Sequence, residues 1–337
     1  MKTKQLTKIL GLGLLAVVVT VVGLRWWSRP GTTTFPPLPN PNGYDDLVEA
    51  GQSIVGDPGA AAGTDVVALR DLLATNAEAL RLIRLGLSRE SRVPAATQIT
   101  NLTSHMDLAP LKQAAFLLRA EGFLAELEGR TNDAARIHLE GLRFGRGISR
   151  GGMVIHRLVG VACEAIALQP LASLAPALDA PGRREVLDGL LKLELEPVDW
   201  REIWDVERAF MRHQAGRDPN PLRGLLSYWS LRSSLQKARY RHHFPSLITR
   251  LLMLELAVHS HVAEHGQPPE TLAELVPQWL PALPTDPLSD RPFVYRRKGT
   301  NWLLYSRGPD GVDDGGVSVP RMGDPQAKGD VRLDTKW

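Results

Sequence analysis

Apolar positions recur at helical spacing through the middle of the chain. Leu69, Leu72, Leu73, Leu80, Ile83 and Leu87 fall on one face of a helical wheel, which predicts helix from about Asp65 onward. A second helix is predicted to start near Asp107 and Pro110 and to run through LKQAAFLLRAEGFLAELEG. Further helices are expected around Val154–Leu174 and Arg183–Leu195, the latter after the break Ala180-Pro181-Gly182. Gly122, Gly129 and Ala134 stand at the small-residue spacings of a tetratricopeptide-type hairpin. The Trp, Tyr and Pro positions of that repeat are missing, and a solenoid needs about three stacked units. A single antiparallel helix pair in an α-helical body, with no polar constellation at its core, is the expectation. Asp218-Pro219-Asn220-Pro221 then breaks the pattern. The basic stretch Leu231–Phe244, with Arg232, Lys237, Arg239 and Arg241, reads as a solvated helix face, with contact to anionic lipid or nucleic acid as the alternative. Pro245 and Ser246 open a new apolar helix ending at His265-Gly266, where Gly suits the position after a helix.

The pattern is different at the two ends. Lys2, Lys4 and Lys8 precede the uncharged apolar run Ile9–Leu24, and Arg25-Trp26-Trp27-Ser28-Arg29-Pro30 follows it. The run is short for a membrane span, but Trp26 and Trp27 extend it into the headgroup layer. The bulky flank offers no small-x-small cleavage site, so an uncleaved signal anchor is expected rather than a removed leader. The lysine bias predicts the N-terminus in the cytoplasm and the bulk of the chain outside it, on the inner (cytoplasmic) membrane. Pro30, Pro36, Pro37, Pro39 and Pro41 mark a stiff spacer, and GDPGAAAG is a second break. The expected division is an anchor over 1–30 with residues 9–27 in the membrane, a linker over 31–64, an α-helical body over 65–217, a basic connector over 218–245 and an α/β module over 246–337. The fold class is α+β.

Composition narrows the function. With 337 residues, 43% of them hydrophobic and 23% charged, the chain can bury a real core. A net charge of +3, dispersed along the sequence, gives no argument for a nucleic-acid partner. Cys163, the only cysteine, lies in the apolar run VGVACEAIAL and reads as a buried, inert thiol. His156 is seven residues away on the same predicted helix, two turns off and too far to act as its base.

The C-terminal region carries the sharper chemistry. FVYRR and NWLLYS read as two strands of a hairpin turning at Lys298-Gly299, after a short helix in LAELVPQWL. The loop behind the hairpin, LLYSRGPDGVDDGG, packs Asp310, Asp313 and Asp314 among glycines. Carboxylates with inward-folding carbonyls suit Ca²⁺, which takes about six to eight oxygens. Asp and Gly are also ordinary turn formers. The loop lacks the alternate acids and the position-twelve Glu of an EF-hand.

LPTDP (Leu283–Pro287), LLYSRGPDG (Leu303–Gly311) and GDV (Gly329–Val331), in this order after a helix ending in His-Gly, resemble the globular part of type II secretion major pseudopilins. The resemblance covers Ser246–Trp337. It implies a structural calcium loop with Asp310 and Asp330 as side-chain ligands, Asp313 near a further acidic position, Asp314 beside it and carbonyls near Leu304 and Ser306. The prepilin cleavage site and the Glu within the apolar helix are absent, so the resemblance implies a shared module and not pilus assembly. As a whole, the chain looks like envelope proteins of planctomycete-type bacteria.

One motif points to an enzyme. His261-Val262-Ala263-Glu264-His265 matches the H-x-x-E-H zinc-peptidase pattern, with His261 and His265 four apart on one helix face and Glu264 as the base. The motif sits at a helix end and lacks an evident third ligand. The leading expectation is therefore a non-enzymatic, membrane-anchored envelope protein with an interaction or scaffold role and unknown protein partners. No small-molecule substrate is indicated. A zinc hydrolase and a peptide-binding helical scaffold are the alternatives.

Overall fold

The computed structural model describes residues 35–61, 65–95, 107–217, 234–320 and 322–335. The expected anchor and the basic residue Arg232 lie outside the described residues. Within them the chain is mostly helical, with one two-stranded antiparallel sheet.

Helix α1 (Gly43–Ser53) starts at Asn42, whose side chain accepts from the Tyr44 N–H and also bonds the Arg92 backbone in both directions. The leucine periodicity after Asp65 is not one helix. It breaks at Asn76 into α2 (Val66–Thr75) and α3 (Ala77–Leu87). The Asn76 amide is buried and binds the backbone N–H and C=O of Val55, a local alternative to the helical ladder.

Helices α4 (Ala109–Leu127) and α5 (Thr131–Gly147) form the expected antiparallel pair. Gly122 lets the buried His138 ring cross it, since a Cβ there would lie 2.3 Å from that ring. Gly129 has another role: it adopts φ 74° at the turn, with nothing near its missing side chain.

Next come α6 (Val154–Leu174), α7 (Ala180–Leu195) and α8 (Trp200–Arg217), then a helix over 234–242 (α9) and α10 (Phe244–His265). Among the described residues one helix, Val154–Ala177, is long and apolar enough to cross a membrane; it lies mid-chain and 44% of its most apolar window is buried. It packs against α5 at very short range. A Cβ on Gly160 would come within 2.5 Å of the Gly145 carbonyl oxygen.

A single apolar cluster then runs across α5–α7, α10 and the C-terminal hairpin, including Leu142, Leu168, Leu187, Leu251, Leu304 and Val331. A second cluster under α1, α3 and α4 holds Leu47, Ile83, Leu118, Phe144 and Cys163. After α10, the region read as a short helix is only a 3-10 turn, Leu272–Leu275, since Pro277 has no N–H to continue it. Strand β1 (Val294–Lys298) pairs with β2 (Asn301–Tyr305), from Val294 opposite Tyr305 to Lys298 opposite Asn301.

The body does hold a polar constellation, contrary to expectation. Glu164 is buried between α5 and α6, with one oxygen 2.5 Å from Arg157 Nη1 and the other 3.4 Å from Arg146 Nε. Arg146 continues to the Leu193 carbonyl and to Glu194 at 3.2 Å. Glu194 accepts from Ser246 Oγ at 2.8 Å and pairs with Arg250 at 2.6 Å, and Arg250 reaches the Thr285 carbonyl. Arg157 Nε donates to His242 Nδ1 at 2.9 Å.

Two predictions follow from this network. Glu164→Ala leaves two guanidinium groups buried without their anion and should cost about 3–5 kcal/mol in urea unfolding. A loss below about 1 kcal/mol would mean that water reaches both arginines. Burial, then the charge of Arg157, pushes the His242 pKa down to about 2, and burial pushes His156 down to about 4. A depressed folded pKa leaves stability intact above the ordinary histidine pKa and removes it as pH falls below that value. Acidification from pH 7 to 5 should therefore destabilise the protein, His242 alone contributing on the order of 2 kcal/mol. His242→Asn should flatten that slope in thermal melts; an unchanged slope would place the linkage elsewhere.

Candidate functional site

The loop after β2 begins at a buried serine. Ser306 exchanges both backbone hydrogen bonds with Val331 at 2.9 Å, which draws the tail beside the hairpin. Its hydroxyl donates to Asp286 Oδ2 at 2.8 Å. Asp286, from LPTDP, is itself buried and accepts from the Leu288 N–H and the Ser289 hydroxyl. One carboxylate thus ties the 286–291 turn to the end of the hairpin. Sequence reasoning used this aspartate only as part of a pattern; its position between two prolines' turns and a serine-ended strand was the available signal.

The four expected ligands separate into different environments. Asp330 is fully buried, and its Oδ2 accepts from the Gly316 N–H at 2.6 Å. Its Oδ1 is buried with no hydrogen-bond partner among the described residues. Burial raises the Asp330 pKa, and the charges of Asp313 and Asp314 push the same way, while the backbone amides of Gly316 and Asp314 oppose them. Asp313 is committed: Tyr305 donates its hydroxyl at 2.6 Å, the Gly315 N–H donates at 3.0 Å, and Arg296 pairs at 2.7 Å. These bonds hold the Asp313 pKa below the usual range, and burial, followed by the Asp313 contact, pushes Tyr305 up to about 12. Asp310 is exposed and accepts from the Val312 N–H at 3.1 Å, the geometry of a turn-forming aspartate. Asp314 is exposed beside Asp313.

Asp313 and Asp314 thus lie near enough to Asp330 for their charges to act on it, while Asp310 is engaged with the Val312 N–H. Among the described residues no group of three or more His, Cys, Asp or Glu side chains is arranged to hold a metal ion. The donor chemistry nonetheless fits a hard cation at Asp330, whose buried and unpartnered oxygen is a ligand in search of a charge.

The histidine motif has a different geometry. His261 and His265 stack with ring centroids 4.2 Å apart and an interplanar angle of 20°. Each donates its Nδ1–H to a carbonyl, of Gln267 and His261 respectively. His261 Nε2 lies 3.8 Å from Glu274 Oε2. Glu264 is turned away and accepts from Gln278 at 2.7 Å. Cys163 is buried, and burial followed by the Glu164 charge raises its pKa to about 12, far from a reactive thiolate. The nearby His156 accepts the Met153 N–H instead.

No family model, no curated protein and no solved structure matches this chain.

Asp330 yields a sign-specific prediction. A carboxyl whose folded pKa is raised contributes stability at low pH and loses it as pH rises through that folded pKa. In calcium-free buffer at pH 7, Asp330→Asn should leave Tm unchanged or raise it by about 1–3 °C, with the gap closing at pH 4. A large drop in Tm at pH 7 would show that the loop amides alone satisfy the carboxylate.

Proposed function

We propose that the chain is a non-enzymatic, single-pass envelope protein, anchored in the inner membrane through residues 9–27 with its bulk outside the cytoplasm. Its helical body and pseudopilin-like C-terminal module act together as a platform for other proteins. The module is braced by a structural calcium ion. The observation that carries this reading is the buried Asp330 carboxylate with an unpartnered oxygen, set where the tail returns to the hairpin.

In this reading Asp330 and Asp314 supply the charge, with carbonyls of the Ser306–Gly316 loop around them. Asp313 is covered by Arg296 and Tyr305, and supports the loop from the side. Asp310 shapes the turn. When bound, the ion neutralises buried carboxylate charge and so locks the tail to the hairpin. The stacked histidines, the turned Glu264 and the inert Cys163 support a structural role over a hydrolytic one.

Calorimetry on the full chain in phosphatidylcholine nanodiscs tests the proposal. Calcium should bind with Kd in the micromolar to millimolar range and stabilise the fold by about 2.7 kcal/mol at a hundredfold excess over Kd. Asp330→Asn and Asp314→Asn should abolish both effects, while Asp310→Asn should keep them. Absence of any calcium response in the unmodified chain overturns the calcium brace, and zinc-dependent peptide cleavage lost in His261→Ala would overturn the non-enzymatic reading.

A further inference from the structure

Among the described residues α6 belongs to the one helix apolar and long enough to pass for a membrane span, and 44% of its most apolar window is buried, most of the rest being partly exposed. One side of this helix, partly exposed, helps to line a groove of about 1070 Å³. Phe116 of α4 and Val161, Ala162, Ala165 and Ile166 of α6 line it. Those positions of α6, with Leu158, repeat at three- and four-residue intervals, the stripe by which one helix seats another. From Leu158 to Ile166 the stripe has a length of about 12 Å, or roughly two turns. Ala162 and Ala165 keep the bed shallow, so a second helix axis can approach to about 8 Å.

The rim carries the second signal. Lys112 stands on the α4 side, and Lys237 and Arg241 project from consecutive turns of α9. None of the three makes an ion pair among the described residues; Lys112 lies over the Phe116 ring at 5.6 Å. Asp324, in the loop closing the far wall, is the one carboxylate on the rim. Three cations against one anion around an apolar bed select a ligand with an apolar stripe and acidic flanks.

We infer that this groove docks an acidic amphipathic helix of two to three turns from a partner protein. The inference rests on the reading of the chain as an interaction protein and names the chemistry of what it holds. Docking would place leucine-sized side chains beside Ala162 and Ala165 and the partner's carboxylates against Lys237 and Arg241. It is a helix-in-groove mode, with the floor giving affinity and the rim selecting sign.

The test uses the full chain in phosphatidylcholine nanodiscs and two fluorescent peptides of about 14 residues with the same leucine stripe, one flanked by glutamates and one by lysines. Fluorescence anisotropy should give the acidic peptide a Kd in the tens of micromolar and at least a tenfold preference over the basic one. Lys237→Glu/Arg241→Glu, at exposed positions, should reverse that preference, and Ala162→Trp should fill the bed and abolish binding of both. Equal binding of the two peptides, or a preference unmoved by charge reversal, overturns the inference. So does displacement of the acidic peptide by soluble dihexanoyl phosphatidylglycerol with a dependence on the same residues, which would make the occupant an anionic lipid. Sedimentation of the full chain from native membranes separates the two levels. A large assembly that persists in the Ala162→Trp variant leaves the interaction reading standing and places docking elsewhere, whereas a monomer throughout removes both.

Discussion

A carboxylate taken out of water between two helices is tolerable only if positive charge and hydrogen bonds surround it. Glu164 meets that condition with Arg146 from α5 and Arg157 from its own helix. Both arginines then have donors left over, and those donors fix the neighbouring elements. Arg146 binds the carbonyl end of α7 and Glu194, while Arg157 holds the ring nitrogen and carbonyl of His242 in α9. Through Glu194, Ser246 and Arg250 the same chain of charges reaches α10 and the turn at Thr285. The network can form only because α5 and α6 touch at Gly145 and Gly160, where any side chain would push the helices apart. The apolar cluster supplies most of the driving force for folding, but a greasy interface alone would leave the helices free to slide. The buried ions select one arrangement, because any other leaves a charge uncompensated.

The C-terminal module repeats this logic on a smaller scale. Asp286 has its carboxylate supplied with donors from its own turn and from Ser306, so its burial is compensated inside the module. Asp330 is compensated on one oxygen only. The calcium ion proposed above therefore has a role only at the second of the two. Asp313, expected only near a further acidic position, already has its oxygens bonded by Arg296 and Tyr305.

Much of the architecture was legible from residues. The helix pair around Gly129, the hairpin turning at Gly299 and the end of α10 at Gly266 each have a local signal that no distant contact overrides. The break at Asn76 was hidden because leucine periodicity continues through it, and only the Val55 backbone reveals why the chain turns there. The central network was missed for a related reason. Arg157 and Glu164, seven apart in an otherwise apolar helix, did carry a signal, since two charges on one buried face need partners. Which partners they find depends on α5, α7 and α9, and periodicity cannot report how those elements cross. In the aspartate loop the composition was visible and the resemblance pointed to Asp330, but only the Ser306–Val331 bridge shows how so distant a residue arrives beside the loop.

The network and the groove meet in α9. One face of this short helix turns inward: Leu235 and Ala238 join the small apolar cluster with Val198 and Ile203, and His242 binds Arg157. The opposite face carries Lys237 and Arg241 along the groove. A helix over 234–242 is too short to hold its shape by propensity, so its position is dictated by these inward contacts. The spacing between the basic wall and the α6 floor is therefore tied, through the Arg157–His242 bonds, to the buried charges that align the body. The groove's basic wall is thus tied to the centre of the body: Arg157, which pairs with Glu164, also holds His242 of the helix that bears Lys237 and Arg241.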